Sequence, residues 1–559
     1  MNKAFLMRKK SSADRLLKLD LSNDLYAGIS IFHIINGINV EQAEKNLLFT
    51  ANWFEHAHPL GRDPRGEPDF ASAMLIAALH HCYDRISNEC RNALDKFYLT
   101  QDFQSKYPSE NHYLLFRISR LLAAEFYKDR YFEQYGLTSE EIIKEDEKYI
   151  DEFLMYRARC SWGEFDSCGY AGEIMEVLNV LYAYTTNERL KKKAAMSMDI
   201  ILLDMIVDSK NGLYGGAHGR IYPDVAVNSA VSSMYRIYCY YFGAADGMPK
   251  GVGVGPRLLL SDYYPSEIVY NLVKNRKYPY ENKERKHLHI PSAWDKEILY
   301  NKLDTIKDFS IDKYLFISDD YMLGSVNHQD LYPDAVQSDS WYAHHEQHEW
   351  ELTLPGDGRI KIFSHHPGTT KEHNQWTGDI GCNCGTHFCT KDTAISMYNI
   401  EKEDQFSYIN AYIPFDFFEE VHYDKNYIFL KYKNNYIMVW VANDYKIGTT
   451  GVLSVGTSEI ISDGRKNAFV CHIENVCKYD SFEDFITQMK TLAIDFNTEK
   501  MSIAFNDIYL DYTERVVHGE RQIFPYKKLF DSPYLQSEYY SAIFEVTDGK
   551  DSVIYDFNF

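Results

Sequence analysis

The sequence predicts an α + β chain in two parts: an all-helical region of antiparallel helix pairs over residues 1–308, then a mostly antiparallel β region over residues 309–559. Three observations predict it. Apolar residues recur at helical spacing from about Leu16 to His289, and the period switches to short β-rich runs from "KYLFISDDYMLGSV" onward. The 559 residues also exceed what a single hydrophobic core organises.

In the helical part, "NVEQAEKNLLFTANWFEHA", "FASAMLIAALHHCYDRI", "YLLFRISRLLAAEFY", "EEIIKEDEKYIDEFLMYRA", "GEIMEVLNVLYAYTTNERLKKKAAMSMDIILLDMIVDS" and "SAVSSMYRIYCYYFG" carry apolar residues three or four apart, the pattern of a helix with one buried stripe. Loops bearing Gly, Pro or His separate them, and no strict repeat marks a solenoid. In the β part, "EWELTLPGDGRIKIFSH", "TAISMYNI", "YIFLKYKNNYIMVWVAND", "NAFVCHIENV", "MSIAFNDIYLDYTERVV" and "YSAIFEVTDGKDSVIYDF" alternate with turns. "KYKNNYIMVWV" predicts a hairpin turning at Asn434 and Asn435, which tolerate positive φ. One amphipathic helix, "SFEDFITQMKTLA", interrupts the strands.

Composition excludes some functions. A net charge of −22 and a pI near 5.4 repel nucleic acid and anionic membranes. No apolar run is long enough to span a bilayer. The basic N-terminus "MNKAFLMRKKSSADRLLKLD" lacks the apolar stretch of a secretory signal, and ten cysteines are scattered irregularly. A cytoplasmic protein with mainly reduced thiols is expected, unless an export signal has been removed. Aromatics make up 15% of residues, which suits large sheets and also suits rings that pack on sugar faces.

Three stretches place polar side chains where a helix begins or a loop ends. The first is Glu110-Asn111-His112, ahead of a long apolar helix; Asn is also a good helix cap. The second is "CSWGEFDSCGYAGEIMEVL", with Tyr170 at a helix start. The third is "NGLYGGAHGRIYPD", whose glycines allow sharp turns beside His218, Arg220 and Tyr222. Arg62 and Arg65 in "HAHPLGRDPRGEPDF" are candidate carboxylate clamps, or partners of Asp63, Glu67 or Asp69 in their own loop. The β part gathers His344, His345, His348, His365, His366, His373 and His387, a density that points to proton transfer. On a strand, His348 and Trp350 share a face. Cys382, Cys384, His387 and Cys389 in "CNCGTHFC" are either a structural zinc set with unusual spacing or free thiols in a loop.

With these residues the chain resembles the heparinase II/III and oligoalginate-lyase group of polysaccharide lyases. The resemblance implies an N-terminal (α/α) toroid and a C-terminal antiparallel β-sandwich, with boundaries at 1–308 and 309–559. It also implies that Asn111 and His112 read a uronate carboxylate, that Tyr170 transfers protons, and that a β-domain His closes the site. His348 is the first choice for that His and His366 the second. Arg220 and Tyr222 resemble the group's substrate-binding loop, with Trp350, Arg62 and Arg65 as further contacts. The implied activity is β-elimination on a uronic-acid glycan with no required cofactor. The strong acidity argues against a heavily sulfated substrate. Arg220 or a protonated His would have to depress the Tyr170 phenol for it to act as a base. Two alternatives stand beside this reading. One is a glycoside hydrolase using Glu164 with Asp166, or Glu67 with Asp69; the other is a non-catalytic glycan-binding protein. The partner expected is a glycan, not nucleic acid or membrane, and self-association is left open.

Overall fold

The computed structural model describes residues 2–24, 26–56, 67–105, 109–251, 253–288, 310–329, 348–367, 384–448 and 458–559. The helical part contains α1 (Lys3–Leu16), α2 (Gly28–Ile35), α3 (Val40–Ala51), α4 (Pro68–Cys82), α5 (Asn88–Thr100), α6 (Glu110–Phe126) and α7 (Ser139–Cys160). It continues with α8 (Tyr170–Tyr184), α9 (Glu188–Val207), α10 (Pro223–Val227), α11 (Ser233–Tyr241), α12 (Pro256–Leu259) and α13 (Glu267–Asn275). Two short hairpins interrupt it, β1 (Tyr131–Phe132) with β2 (Leu137–Thr138), and β3 (Ser209–Lys210) with β4 (Leu213–Tyr214). Helices α4 and α6 are buried on nearly every face, whereas α3 and α5 keep charged faces in water. Contacts run from α2 to α4, α6 and α8, and α12 touches both α8 and α2, so the chain of contacts returns to its start. Among the described residues, no helix is long and apolar enough to cross a membrane.

The β part is built on a twelve-stranded antiparallel sheet. Its centre holds β5 (Tyr280–His287), β6 (Ser310–Ile317), β7 (Met322–Gln329), β8 (Trp350–Thr353) and β9 (Lys361–His365), each paired with the next. Four C-terminal strands from Lys528 to Asp556 continue the sheet beyond β5. A six-stranded sheet begins with β10 (Gly385–Cys389) and β11 (Thr393–Asn399) and shares a hydrophobic core with the large sheet, in which Leu352, Ile362, Leu430 and Val439 meet. Its other face packs on the helix Phe482–Thr491 and a five-stranded sheet. The opposite face of the large sheet joins the helical core through Leu315, Ile317, Met322 and Phe530.

Two expectations change. Residues 280–287, read as part of the helical region, form β5, whose alternate residues Asn282, Glu284 and Lys286 are buried polar groups. A strand with a charged inner face shows no hydrophobic alternation, so its period was hidden. The predicted hairpin forms, but Tyr432 pairs with Asn435, so the turn is Lys433-Asn434 with Lys433 at φ 50°.

The seam between the two parts is ionic. Lys286 from β5 contacts Asp166, Asp204 at 2.9 Å and Glu284 at 2.9 Å. Lys313 from β6 contacts Asp166, Asp208 at 2.7 Å and Glu284 at 3.4 Å. Asn282 donates to Asp208 at 2.5 Å and Glu284 at 2.7 Å. Two lysines cannot neutralise four carboxylates: burial pushes Asp204, Asp208 and Glu284 up to about 7 and pushes Lys313 below its ordinary value, while the carboxylates around Lys286 keep it raised.

These carboxylates hold protons in the folded state that the unfolded chain gives up near its ordinary value of about 4. Their contribution to stability is therefore complete below about pH 4 and is lost as pH rises through about 7. Thermal unfolding between about pH 5 and 8 should cost wild type more Tm than Glu284→Gln; parallel curves would contradict this account of the seam.

Candidate functional site

Helix α6 is capped by Ser109, not by Asn111. The Ser109 hydroxyl accepts from the His112 backbone N–H at 3.5 Å and donates to Asn111 Oδ1 at 2.5 Å. Tied down through its oxygen, Asn111 holds its Nδ2 fully buried with no acceptor among the described residues. Such a donor costs free energy when left unpaired, so a water or a bound group is its expected partner. His112 Nδ1 lies 2.6 Å from Asp69 Oδ2, at the start of α4. Burial raises Asp69 and the His112 contact opposes that shift. With Nδ1 turned to the carboxylate, Nε2 lies on the other edge of the ring.

Glu110, the first residue of α6, is wholly buried and lies 2.7 Å from Arg157 Nε. It also accepts from the Glu164 backbone N–H at 2.8 Å. Glu164 in turn accepts from Arg220 Nη1 at 3.1 Å, and the Arg220 guanidinium lies 4.2 Å from the Tyr170 ring centre. The Tyr170 hydroxyl meets that of Tyr222 at 2.5 Å. One chain of contacts therefore joins the start of α6 to the start of α8 and to the glycine-rich loop. Burial drives the Tyr170 phenol well above its ordinary value, and Tyr222 and Glu164 push the same way. Arg220 opposes the shift, as expected, but burial wins and the phenol stays protonated.

The loop leading to Tyr170 carries Ser161 at φ 66° and Asp166 at φ 49°, a region side chains other than Gly rarely adopt. It is held by the lysines on Asp166, by Gly219 N–H donating to Phe165 O at 2.6 Å, and by Ser167 Oγ donating to Arg220 O at 2.8 Å. Gly216, at φ 82°, brings the glycine-rich loop against the backbone of Gly324 in β7, where a Cβ would crowd Leu315.

His348 pairs with that loop through its backbone: His218 N donates to His348 O at 2.8 Å and His348 N to His218 O at 2.7 Å. Its ring is fully buried, with Nε2 3.1 Å from Glu351 and Nδ1 3.3 Å from His365 Nε2. Burial pushes His218, His348 and His365 below the ordinary imidazole range, so they are neutral. Burial alone would raise Glu351, but Lys361 at 2.7 Å and His348 hold it down at about 2.

Other expected contacts lie elsewhere. Trp350 is core: its indole donates to Ser364 at 3.0 Å and its ring packs on Phe469 between the sheets. His348 precedes β8 in an isolated bridge, which is why the two do not share a strand face. Both nitrogens of buried His366 are used within the β part, on Tyr408 O at 2.9 Å and Asp404 at 3.0 Å. His387 sits between Ser396 at 2.9 Å and Glu349 at 3.0 Å, Cys384 is disulfide-bonded, and burial pushes Cys389 up to about 12. Cys384, His387 and Cys389 form no three-ligand group among the described residues; Asp166, Asp204, Asp208 and Glu284 do, and Lys286 and Lys313 lie among them. Arg62, Arg65, Asp63, His344, His345, His373 and Cys382 lie outside the described residues.

The reading of the sequence missed Glu110 as the link between loops and the Asp166 lysine pair, and it placed Asp69 in its own loop or in a hydrolase pair with Glu67, not against His112. A lone acid in the first turn of a helix reads as a dipole partner, so no local signal separates Asp69 from that role.

No protein-family model matches the sequence, and no curated protein matches it. The fold is similar to a solved structure described as the crystal structure of heparinase III, with a TM-score of 0.43 and 11% sequence identity, over 90% of this chain and 81% of that one.

Neighbouring residues in α6 should respond oppositely to truncation. Glu110→Ala strands the buried Arg157 charge and should cost about 3 kcal/mol in urea unfolding. Asn111→Ala, although the residue is equally buried, removes an unpaired donor and should stay within about 1 kcal/mol of wild type. A large loss for Asn111→Ala would mean that its amide is already satisfied.

Proposed function

We propose that this protein is a carbon–oxygen lyase that cleaves a uronic-acid-containing glycan by β-elimination, on an (α/α) toroid joined to a β-sandwich. The observation that carries the reading is the start of α6. There a buried amide donor on Asn111, with no acceptor among the described residues, adjoins an imidazole facing Asp69, and Glu110, Glu164 and Arg220 connect both to a protonated phenol.

Elimination from a uronate needs the C5 proton acidified, removed, and a proton returned to the leaving oxygen. Asn111 Nδ2 donates to the substrate carboxylate and stabilises the charge that builds there as C5 loses its proton. His112 Nε2 takes that proton, its imidazolium stabilised by Asp69. The electron pair forms the C4–C5 double bond, the C4–O bond breaks, and Tyr170 protonates the departing oxygen. A phenol whose proton is held tightly by burial suits the acid role better than the base role. His348, with both ring nitrogens engaged, pins the glycine-rich loop that carries Arg220 and Tyr222.

The hydrolase alternative has less support. Glu164 is held by Arg220, Asp166 by Lys286 and Lys313, and Asp69 by His112. A hydrolase needs one carboxyl group protonated and one exposed to water.

A panel of alginate, glucuronan, hyaluronan, chondroitin and heparan should include a glycan from which wild type releases an ultraviolet-absorbing unsaturated uronate. Tyr170→Phe and Asn111→Ala should each lower kcat/KM about a hundredfold or more. The phenol should impose no alkaline fall in rate below its ordinary value of about 10. Reducing ends released without ultraviolet absorbance would replace elimination with hydrolysis.

A further inference from the structure

Helix α1 and helix α11, with Lys250, Gly251 and Gly253, line a cavity of about 960 Å³. Six cations line it, Arg8, Lys10, Arg15, Lys18, Arg236 and Lys250, against one carboxylate, the exposed Asp14. In a chain of net charge −22, that local reversal of sign is not what random placement gives.

The cations are also not satisfied from within. Lys9 on the same helix finds Asp262 at 3.7 Å, whereas Lys10, Arg15, Lys18, Arg236 and Lys250 have no carboxylate in ion-pair contact among the described residues. Arg8 spends Nε and Nη2 on the Tyr240 and Tyr241 carbonyls at the end of α11, at 2.8 and 2.5 Å, which anchors the wall of the cavity. Arg15 Nε is shielded from water without an acceptor, and Ser12 stands beside it against Gly253. Arg15 feels the charge of Arg236, and neither has a carboxylate in ion-pair contact among the described residues.

Two guanidinium groups lining one cavity match oxyanions, which can accept from both at once. We infer that the cavity between α1 and α11 is an anion-binding site, separate from the Asn111–Tyr170 centre, for a ligand carrying at least two oxyanion groups. Its occupant is either a stretch of acidic glycan or a free polyvalent anion. Arg236 acts electrostatically on Glu176 of α8, the helix that begins at Tyr170. The inference does not depend on the lyase reading, because it concerns binding alone.

The test is calorimetric titration of the full chain, at fixed ionic strength, with sodium pyrophosphate and with a hexauronate, using wild type, Tyr170→Phe and the double variant Arg15→Gln/Arg236→Gln. Neither arginine has a carboxylate in ion-pair contact among the described residues, so the double variant should keep close to the wild-type Tm in chloride. Wild type and Tyr170→Phe should bind at least one probe alike, and the double variant about tenfold or more weakly. Binding of pyrophosphate alone would identify a free-anion site, and binding of the hexauronate alone a glycan site; both support the inference. Equal affinity of wild type and a folded double variant for each probe, or no binding of either probe to wild type, would overturn it.

Discussion

Two lysines buried among four carboxylates hold the helical and β parts of this protein in register. Removing Lys286 or Lys313 from water has a large cost that only well-placed carboxylates offset, and such clusters seldom add net stability against a packed apolar seam. What they provide here is position. Asp166 lies four residues before Tyr170, in a loop with two positive-φ side chains, and its carboxylate can be neutralised only where β5 and β6 present their lysines. The loop is therefore set by the sheet. Through Ser167, Glu164 and Arg220 the same placement passes to the phenol at the start of α8. The His218–His348 backbone bridge does for the glycine-rich loop what the lysines do for the first.

Much of this was legible in the residues. The helical period, the later switch to strands, the inserted helix at Phe482–Thr491 and the position of Asn111, His112 and Tyr170 at helix starts follow from spacing and capping chemistry alone. What was not legible is what depends on tertiary contact. Strand β5 buries Asn282, Glu284 and Lys286, so its inner face looks like a solvent face in sequence. Trp350 and His348 lie two apart, yet a break before β8 sends one into the core and the other to the seam. Asp69 and His112 are 43 residues apart, and no local pattern announces that pair. The hairpin turn at Lys433-Asn434 shows that turn residues fix a turn to within a residue, not its register.

The elimination proposed here would rest on a division of labour set by burial. Asn111 is a neutral donor, so it can stabilise a carboxylate without a charge that would have to be buried when the site is empty. Tyr170 stays protonated because its surroundings disfavour phenolate. His112, oriented by a buried carboxylate, is the group left to accept a proton. The acidic residues that a hydrolase would use are instead committed to holding loops.

The measurement that tests elimination most directly is the mass of the products formed in heavy-oxygen water from the glycan that wild type cleaves. Elimination adds no water, so the two product masses should sum to that of the substrate with no heavy oxygen incorporated. A heavy-oxygen label at the new reducing end, with a product sum larger by one water, would contradict the account and assign hydrolysis to this site.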